Sequence, residues 1–299
     1  MTRGVLVMAY GTPSSLDEVE AYYTDIRGGR PPAPELLDEL TRRYRAIGGR
    51  SPLRDITRAQ ATGIAERTGA KTYVGLKHSA PFIPDAVGEL ASDNVDLVAG
   101  LVLAPHYSYM SVGDYERRVR EAATDVGWPG ELRMIPSWHL EEGYVTWLAA
   151  RVEDALAALS AGVRDEAMVL FTAHSLPTRV AEVGDPYPDQ LQQTADAVAA
   201  RAGLARWQIA WQSAGRTSVE WLGPDVLDVL VDLAAKSTPA AVVCPCGFVA
   251  DHLEVLYDID IEARDLAEDL GMELVRTRSP NDDPAFLEML AGVVRRALS

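Results

Sequence analysis

Short, nearly continuous apolar runs alternate with longer stretches of helical periodicity along this 299-residue sequence. The runs, rich in Val, Leu, Ile and Ala, predict strands buried on both faces. They lie at residues 4–10, 71–77, 96–104, 131–136, 167–173, 207–212, 240–244 and 272–276. Apolar spacings of three and four predict helices that include residues 16–26, 34–47, 141–159, 190–201 and 224–235. Because strands alternate with helices and the two halves share one rhythm, we predict an α/β fold with two doubly wound domains built on parallel sheets.

Composition narrows the class of protein. Hydrophobic residues make up 47% and charged residues 24%, which is ordinary for a globular chain. No apolar run approaches the roughly 20 residues of a membrane span, and the short run near the N-terminus is predicted to be a buried first strand. We therefore expect a cytoplasmic protein without a membrane span. The net charge of −16 argues against a nucleic-acid partner.

The charge is unevenly distributed. Residues 27–58 contain eight arginines and four acidic residues, so this stretch has a local charge of +4. A solvated helix face would explain this, and so would a cradle for an anionic small molecule, since guanidinium groups suit carboxylates. Composition alone leaves both interpretations open.

Cysteine usage and phosphate-binding motifs restrict the cofactors. The two cysteines, Cys244 and Cys246, cannot form a disulfide framework, and one chain cannot supply the four cysteines of an iron–sulfur cluster. The sequence contains no G-x-G-x-x-G that opens a first helix and no Walker-type loop, which argues against a dinucleotide enzyme or an ATPase.

All five histidines lie just after predicted strands. They are His78, His106, His139, His174 and His252, and Tyr10 ends the first strand in the same way. Since ligands of open α/β sheets bind outside the carboxyl ends of the strands, this distribution predicts a site at that edge. A single histidine there would more often be structural.

An acidic row follows the strand at 240–244. On a helix Glu254, Asp258 and Glu262 share one face, opposite an apolar stripe. A solvated acidic face is the simplest interpretation. The alternative is a path for a hydrated divalent cation, with oxygen ligands leading to a histidine, which would suit Fe²⁺ better than Ca²⁺.

Blocks of sequence in a fixed order resemble the bacterial ferrochelatases. They lie at residues 6–13, 22–27, 47–53, 77–82, 104–108, 173–177, 211–216 and 247–258, across almost the whole chain. The N-terminal block is most similar to the coproporphyrin-dependent branch of monoderm bacteria. The resemblance implies two Rossmann-like, chelatase-like domains around a porphyrin cleft. The first would comprise residues 1–105 and 277–299, with a returning C-terminal helix, and the second residues 106–276.

The resemblance also implies roles for matching residues. His174 and Glu254 match the catalytic pair at the iron, and Asp258 and Glu262 match further metal-binding carboxylates. Six positions match porphyrin-contacting residues: Tyr10, Arg27, Arg43, Tyr44, Ser51 and Tyr115. Some members of the family carry a two-iron cluster, but with two cysteines we expect none here.

These observations predict an enzyme that inserts ferrous iron into a porphyrin, with coproporphyrin III as the expected substrate. Its partners would be the porphyrin and Fe²⁺, both substrates, with no required cofactor, and we expect a monomer. The alternatives are a protoporphyrin IX ferrochelatase, a cobalt chelatase and a non-catalytic haem or iron carrier.

Overall fold

The eight predicted apolar runs form the strands of two parallel sheets in the computed structural model, which describes residues 1–215 and 217–299. Arg216, the last residue of the block at 211–216, lies outside the described residues. The strands are β1 Arg3–Ala9, β2 Lys71–Leu76, β3 Leu97–Val102, β4 Glu131–Met134, β5 Met168–His174, β6 Trp207–Gln212, β7 Ala240–Cys244 and β8 Glu273–Arg276. The α/β prediction with parallel sheets is confirmed.

Helices connect the strands. They are α1 Val19–Ile26, α2 Pro34–Ala46, α3 Leu53–Thr68, α4 Ile83–Ser92, α5 Val112–Val126, α6 Glu142–Ala158, α7 Arg179–Glu182, α8 Tyr187–Ala202, α9 Val226–Ala235, α10 Leu253–Tyr257, α11 Arg264–Asp269 and α12 Pro284–Leu298. Short 3₁₀ turns precede α1 and β5, and a π-helical segment, Asp258–Ala263, joins α10 to α11. Among these residues, no helix is long and apolar enough to cross a membrane.

Both sheets have the same strand order, β2-β1-β3-β4 and β6-β5-β7-β8. In each, the chain leaves the two central strands in opposite directions, which opens a crevice at their carboxyl ends. For the first sheet this crevice follows β1 and β3, and for the second it follows β5 and β7. The topology therefore fixes two places where a ligand can bind.

A shared hydrophobic core lies between the sheets. It combines inward-facing residues of β1 and β3 with those of β5 and β7, and it includes α6, α8 and α12. Separate clusters cover the outer faces, where α4 and α5 pack on the first sheet and α9 packs on the second. Burial on both faces explains why the strands read as continuous apolar runs.

The first unit is longer than expected. The predicted boundary at residue 105 would assign β4 to the second domain, but β4 pairs with β3, as in the register of Leu97 with Glu131. The first sheet therefore extends to Met134, and the boundary at 105 is corrected. Helix α12 packs on α3 and β3 of the first unit and also on α6.

The acidic row does not lie on one regular helix. The π-helical segment begins at Asp258, and its i→i+5 hydrogen bonds add a residue to the turn. The extra residue leaves Ile259 and Ala263 fully buried while Asp258 also turns inward, with only 6% of its surface exposed. The interpretation of the acidic row as a solvated face is therefore wrong, because Asp258 is buried, although Asp258 and Glu262 both lie next to Arg43.

Candidate active site

A cleft opens where the carboxyl ends of the central strands of both sheets meet. Its volume is about 340 Å³, within the usual range of ligand pockets. Residues that follow β1, β3, β5 and β7 line it, together with α1, α2 and α3. Six of the predicted site residues line it: Tyr10, Tyr44, Ser51, Tyr115, His174 and Glu254.

Aromatic side chains form much of the wall. Tyr10 follows β1, and its ring centroid lies 4.6 Å from that of His78. Tyr22 and Tyr44 hold the loop after β1 because Tyr22 donates to the Gly11 carbonyl and the Tyr44 hydroxyl bonds Thr12. Burial and the negative charge of Glu254 raise the pKa of Tyr10, so its hydroxyl stays protonated at neutral pH. The wall is mostly apolar, which suits an aromatic ligand.

His174 ends β5 and faces the cleft. Its Nδ1 lies 2.5 Å from the carbonyl oxygen of Ser175, which can only accept, so Nδ1 carries the proton and Nε2 the lone pair of the neutral ring. Burial lowers the pKa of His174, although the charge of Glu254 opposes the shift. His174 is therefore neutral at physiological pH and can accept a proton or bind a cation through Nε2.

Glu254 is the second residue of α10 and lies beside His252. The Nδ1–H of His252 donates to the carbonyl of Ala250 at 2.9 Å, and its Nε2 lies 3.2 Å from Oε2 of Glu254. Glu254 therefore offers a carboxylate oxygen as a ligand, with the His252 ring held beside it.

A glycine brings this loop close to His174. A Cβ on Gly247 would lie 2.5 Å from Cβ and 2.8 Å from Cα of Ala173, the residue before His174. The Gly247 amide donates to the Thr172 carbonyl at 3.0 Å. Only glycine allows this approach, which places the loop of Glu254 against the end of β5.

Asp258 and Glu262 meet Arg43 and do not line the cleft. Arg43 on α2 lies 3.1 Å from Asp258, 3.7 Å from Glu262 and 3.0 Å from Glu39. The hydroxyl of Ser213 also bonds Asp258. Burial raises the pKa of Asp258 to about 7, with further upward pressure from Glu254 against the opposing effects of Ser213 and Arg43. Ser213 was not recognised from sequence, since its role depends on a left-handed backbone, with φ of 62°.

Arginines of the 27–58 stretch are absent from the cleft wall among the described residues. Arg27 lies over the ring of Tyr23, and its buried Nε has no hydrogen-bond partner there. The cation that does line the wall is Lys77, whose Nζ lies 2.6 Å from Asp114 and 5.3 Å from the centre of the Tyr115 ring. Lys77 follows β2, so the rule applied to the histidines would have found it.

Of the other histidines, His78 lies beside Tyr10, whereas His106 and His139 lie beside each other. His78 pairs with Asp25 at 2.7 Å, next to Tyr10. His106 lines the cleft and lies 5.5 Å from His139, measured between ring centroids. Burial lowers the pKa of His106 to about 3, and burial also lowers the pKa of His139.

Cys244 and Cys246 are fully buried. Burial raises the pKa of Cys244 to about 12 and that of Cys246 well above its usual range. The backbone carbonyl of Cys246 accepts a hydrogen bond from Tyr144 at 2.7 Å. Both thiols are protonated core groups.

Comparison with known proteins extends over the whole chain. The ferrochelatase of Herpetosiphon aurantiacus is 46% identical over 296 residues, which cover 97% of each protein. The coproporphyrin III ferrochelatase of Bacillus subtilis is 45% identical over 99% of this chain and 97% of the relative. That of Halalkalibacterium halodurans is 44% identical over the same shares.

Solved structures share the fold at low identity. SirB from Bacillus subtilis with Fe³⁺ superposes with a TM-score of 0.66 at 11% identity, covering 99% of this chain and 96% of SirB. A cobalt complex of the sirohydrochlorin chelatase SirB gives 0.59 at 12% identity, covering 99% and 95%. The sequence profile of the ferrochelatase family matches residues 2–298. With this match, and with relatives above 40% identity along their full length, the chain belongs to the ferrochelatase family.

Proposed function

We propose that this ferrochelatase inserts Fe²⁺ into coproporphyrin III, with His174 and Glu254 as the reacting side chains. The observation that carries the proposal is the state of His174, which is neutral, has Nδ1 tied to a backbone carbonyl and shares the cleft with Glu254. The names of the relatives from Bacillus subtilis and Halalkalibacterium halodurans support the choice of porphyrin.

Metallation must remove two pyrrole protons and strip water from the iron. His174 would take a proton at Nε2, as a positioned base with a pKa below neutrality can. Glu254 would bind the cation, and the Glu254–His252 pair would accept the other proton. Tyr10, Tyr44, Ser51 and Tyr115 would contact the macrocycle, because all four line the cleft.

Recognition of the propionates needs positive charge in a protein of net charge −16. The unpaired Nε of Arg27 is a donor suited to a carboxylate. Arg43 would contact a propionate only by leaving Asp258 or Glu262. Since Arg43 holds both carboxylates now, porphyrin binding would release them for iron.

We propose that the enzyme needs no resident cofactor and that iron is a substrate. We also propose that a single chain is active. The side chains proposed to react come from one chain: His174 at the end of β5 lies in the same cleft as His252 and Glu254, which follow β7. Static light scattering on the purified protein tests the last point, and a mass near 32.4 kDa is expected.

The decisive experiment compares kcat/KM for coproporphyrin III and protoporphyrin IX with Fe²⁺ under identical anaerobic conditions. We expect a preference for coproporphyrin III that falls about 10- to 100-fold in Arg27→Ala, since a charge-assisted hydrogen bond contributes about 1.5–3 kcal/mol. Arg120→Ala is the control, because Arg120 pairs with Glu116 on an exposed face of α5. Equal or better use of protoporphyrin IX would refute the substrate assignment, and binding without turnover would indicate a carrier.

A further inference from the structure

Two buried histidines carry nitrogen atoms that the proposed reaction does not use. His106 is 1% exposed and lines the cleft, and His139 is 7% exposed. The Nδ1 atom of each ring is buried and has no hydrogen-bond partner among the described residues. Unpaired buried polar atoms are uncommon and need an explanation, of which a bound ion is one and an ordered water another.

The hydrogen bonds at the other nitrogens fix the tautomers. The hydroxyl of Thr194 donates its proton to the carbonyl of Gln190, so it accepts from Nε2 of His106 at 2.8 Å. Oε1 of Gln193 accepts from Nε2 of His139 at 3.0 Å. With both Nε2 atoms protonated, each neutral ring has its lone pair on Nδ1.

This is the arrangement found at metal-binding histidines, which donate their second N–H to a protein acceptor. The ring spacing also fits. With metal–nitrogen distances of about 2.0–2.1 Å and tetrahedral angles, the centroids of two imidazole ligands lie about 5.2 Å apart. The observed separation of His106 and His139 is 5.5 Å, with the planes inclined by 42°.

The pair is held rigidly. The amide of Tyr107 donates to Gln190 at 2.7 Å, and the hydroxyl of Ser108 donates to Asp185 at 2.9 Å, which ties the loop after His106 to α8 and the turn before it. Both tautomer-setting acceptors, Gln193 and Thr194, also lie on α8. Preorganised ligands lose less entropy when an ion binds.

We propose that His106 and His139 bind a divalent transition-metal ion through their Nδ1 atoms, with water completing the coordination. Imidazole nitrogen suits Fe²⁺, Co²⁺, Ni²⁺ and Zn²⁺ and discriminates against Mg²⁺ and Ca²⁺. The site is distinct from His174 and Glu254. Tyr187 separates the two, because its ring lies edge-on to His106 at 6.1 Å and its hydroxyl donates to the carbonyl of His174.

The first test measures Co²⁺ binding by titration calorimetry and visible absorption in full-length His174→Ala/Glu254→Ala protein, which lacks the proposed insertion site. We expect this variant to bind about one Co²⁺ per chain. Excess Zn²⁺ should displace that ion, whereas excess Mg²⁺ should not. Adding His106→Leu or His139→Leu should abolish this binding, whereas adding His78→Leu should preserve it. Crystals soaked in Co²⁺ should show an anomalous peak between the rings of His106 and His139.

A second test leaves both imidazoles in place. Gln193→Ala and Thr194→Val remove the acceptors of the Nε2 protons and should weaken Co²⁺ binding by about 10- to 100-fold. Gln192→Ala, on the same helix, is the matched control, because the Gln192 side chain donates to Asp196 at the surface. Co²⁺ held by residues other than His106 and His139 would bind with unchanged affinity in all three variants.

The proposal is overturned if the His174→Ala/Glu254→Ala protein binds no stoichiometric Co²⁺, or if Gln193→Ala and Thr194→Val bind it as tightly as their parent. These outcomes say nothing about chelation, because the measurement uses protein without the insertion residues. Conversely, if the native protein failed to insert iron into a porphyrin, that result would not affect the metal site proposed at His106 and His139.

Discussion

His174 is the side chain whose loss should separate porphyrin binding from metallation. In His174→Ala the cleft keeps its aromatic wall, so we expect porphyrin affinity to stay within a few fold while kcat falls about 10²- to 10⁴-fold, the usual contribution of a positioned base. Anaerobic metallation followed by visible absorption measures the rate, and fluorescence quenching measures binding. A variant that retains more than roughly a tenth of the activity would disprove the assignment.

Substitutions of Glu254 and Glu262 in the acidic row should affect metallation to different extents in the same assay. Glu254→Gln should resemble His174→Ala, because Glu254 lines the cleft. Glu262→Gln should mainly raise the KM for iron, since Glu262 is half-exposed and lies 3.7 Å from Arg43. Equal losses in both variants would contradict this ordering.

Asp258 links stability to pH. Its pKa is raised in the folded protein from 3.8 to about 7, so the folded state binds more protons than the unfolded chain between these values. Stability at this site therefore falls as pH rises through that window. Asp258→Asn should be more stable than the native protein at pH 8, by on the order of 1–3 kcal/mol, and nearly equal near pH 4.

Urea unfolding at the two pH values measures the difference. Asp265→Asn is the control, because Asp265 is exposed on α11 and should change little at either pH. A lower urea midpoint for Asp258→Asn than for the native protein at pH 8 would mean that the ion pair with Arg43 outweighs burial.

Cys244 and Cys246 should bind no iron–sulfur cluster. Both are fully buried, and two cysteines cannot provide four ligands from one chain. We expect the protein as purified to contain no acid-labile sulfide and to react slowly with a thiol reagent until it unfolds. Stoichiometric sulfide would contradict the prediction and would indicate a cluster shared between chains.

Single side chains show what sequence can and cannot predict about the site. The rule that ligands bind at the carboxyl ends of the strands identified His174, Tyr10 and His252, and all three line the cleft. It could not predict that Arg43 meets Asp258, because these residues are separated by 215 positions and their contact depends on how α2 crosses to α10. The unpaired Nδ1 atoms of His106 and His139 likewise become visible only when their neighbours are placed.

Among the elements, the loop between β7 and α10 depends most on one residue. Gly247→Ala would place a Cβ 2.5 Å from that of Ala173, so β5 and the loop must separate. We expect a loss of about 1–3 kcal/mol in stability, typical of overpacking, and a fall in kcat because Glu254 moves relative to His174. Thermal unfolding and the metallation assay measure the two effects.

Gly88→Ala on α4 is the matched control. A Cβ at Gly88 would meet nothing within 4 Å, and alanine is the better helix former by about 0.5–1 kcal/mol. We expect unchanged activity and equal or higher stability. Wild-type kcat in Gly247→Ala would show that the loop tolerates displacement.

The strands and the acidic segment differ in how well sequence predicts them. All eight strands lie where apolar runs place them, because burial on both faces leaves little choice of residue. The segment 253–269 has helical periodicity throughout, but a π-helical turn interrupts it at Asp258–Ala263. Periodicity over so short a stretch cannot distinguish α from π geometry.

At the scale of the whole molecule, one core joins both sheets. Apolar spacing predicted which residues are buried, but not that β4 returns to the first sheet or that the inner faces share a cluster. Those features depend on long-range pairing, which a local pattern does not encode. The cleft lies above this shared core, so residues from both sheets keep fixed positions around it.

The place of α12 in that core has a consequence for synthesis on the ribosome. Phe286, Leu290 and Val294 fill the space between the sheets, where α12 contacts α3 and β3. The ribosome has completed α3 and β3 once it has added Val102. Helix α12 begins at Pro284, 182 residues later. At about 5–20 residues per second, their inner faces wait roughly 10 to 40 seconds for the helix that covers them. The surface of α3 and β3 that α12 covers therefore stays exposed on the nascent chain for that interval.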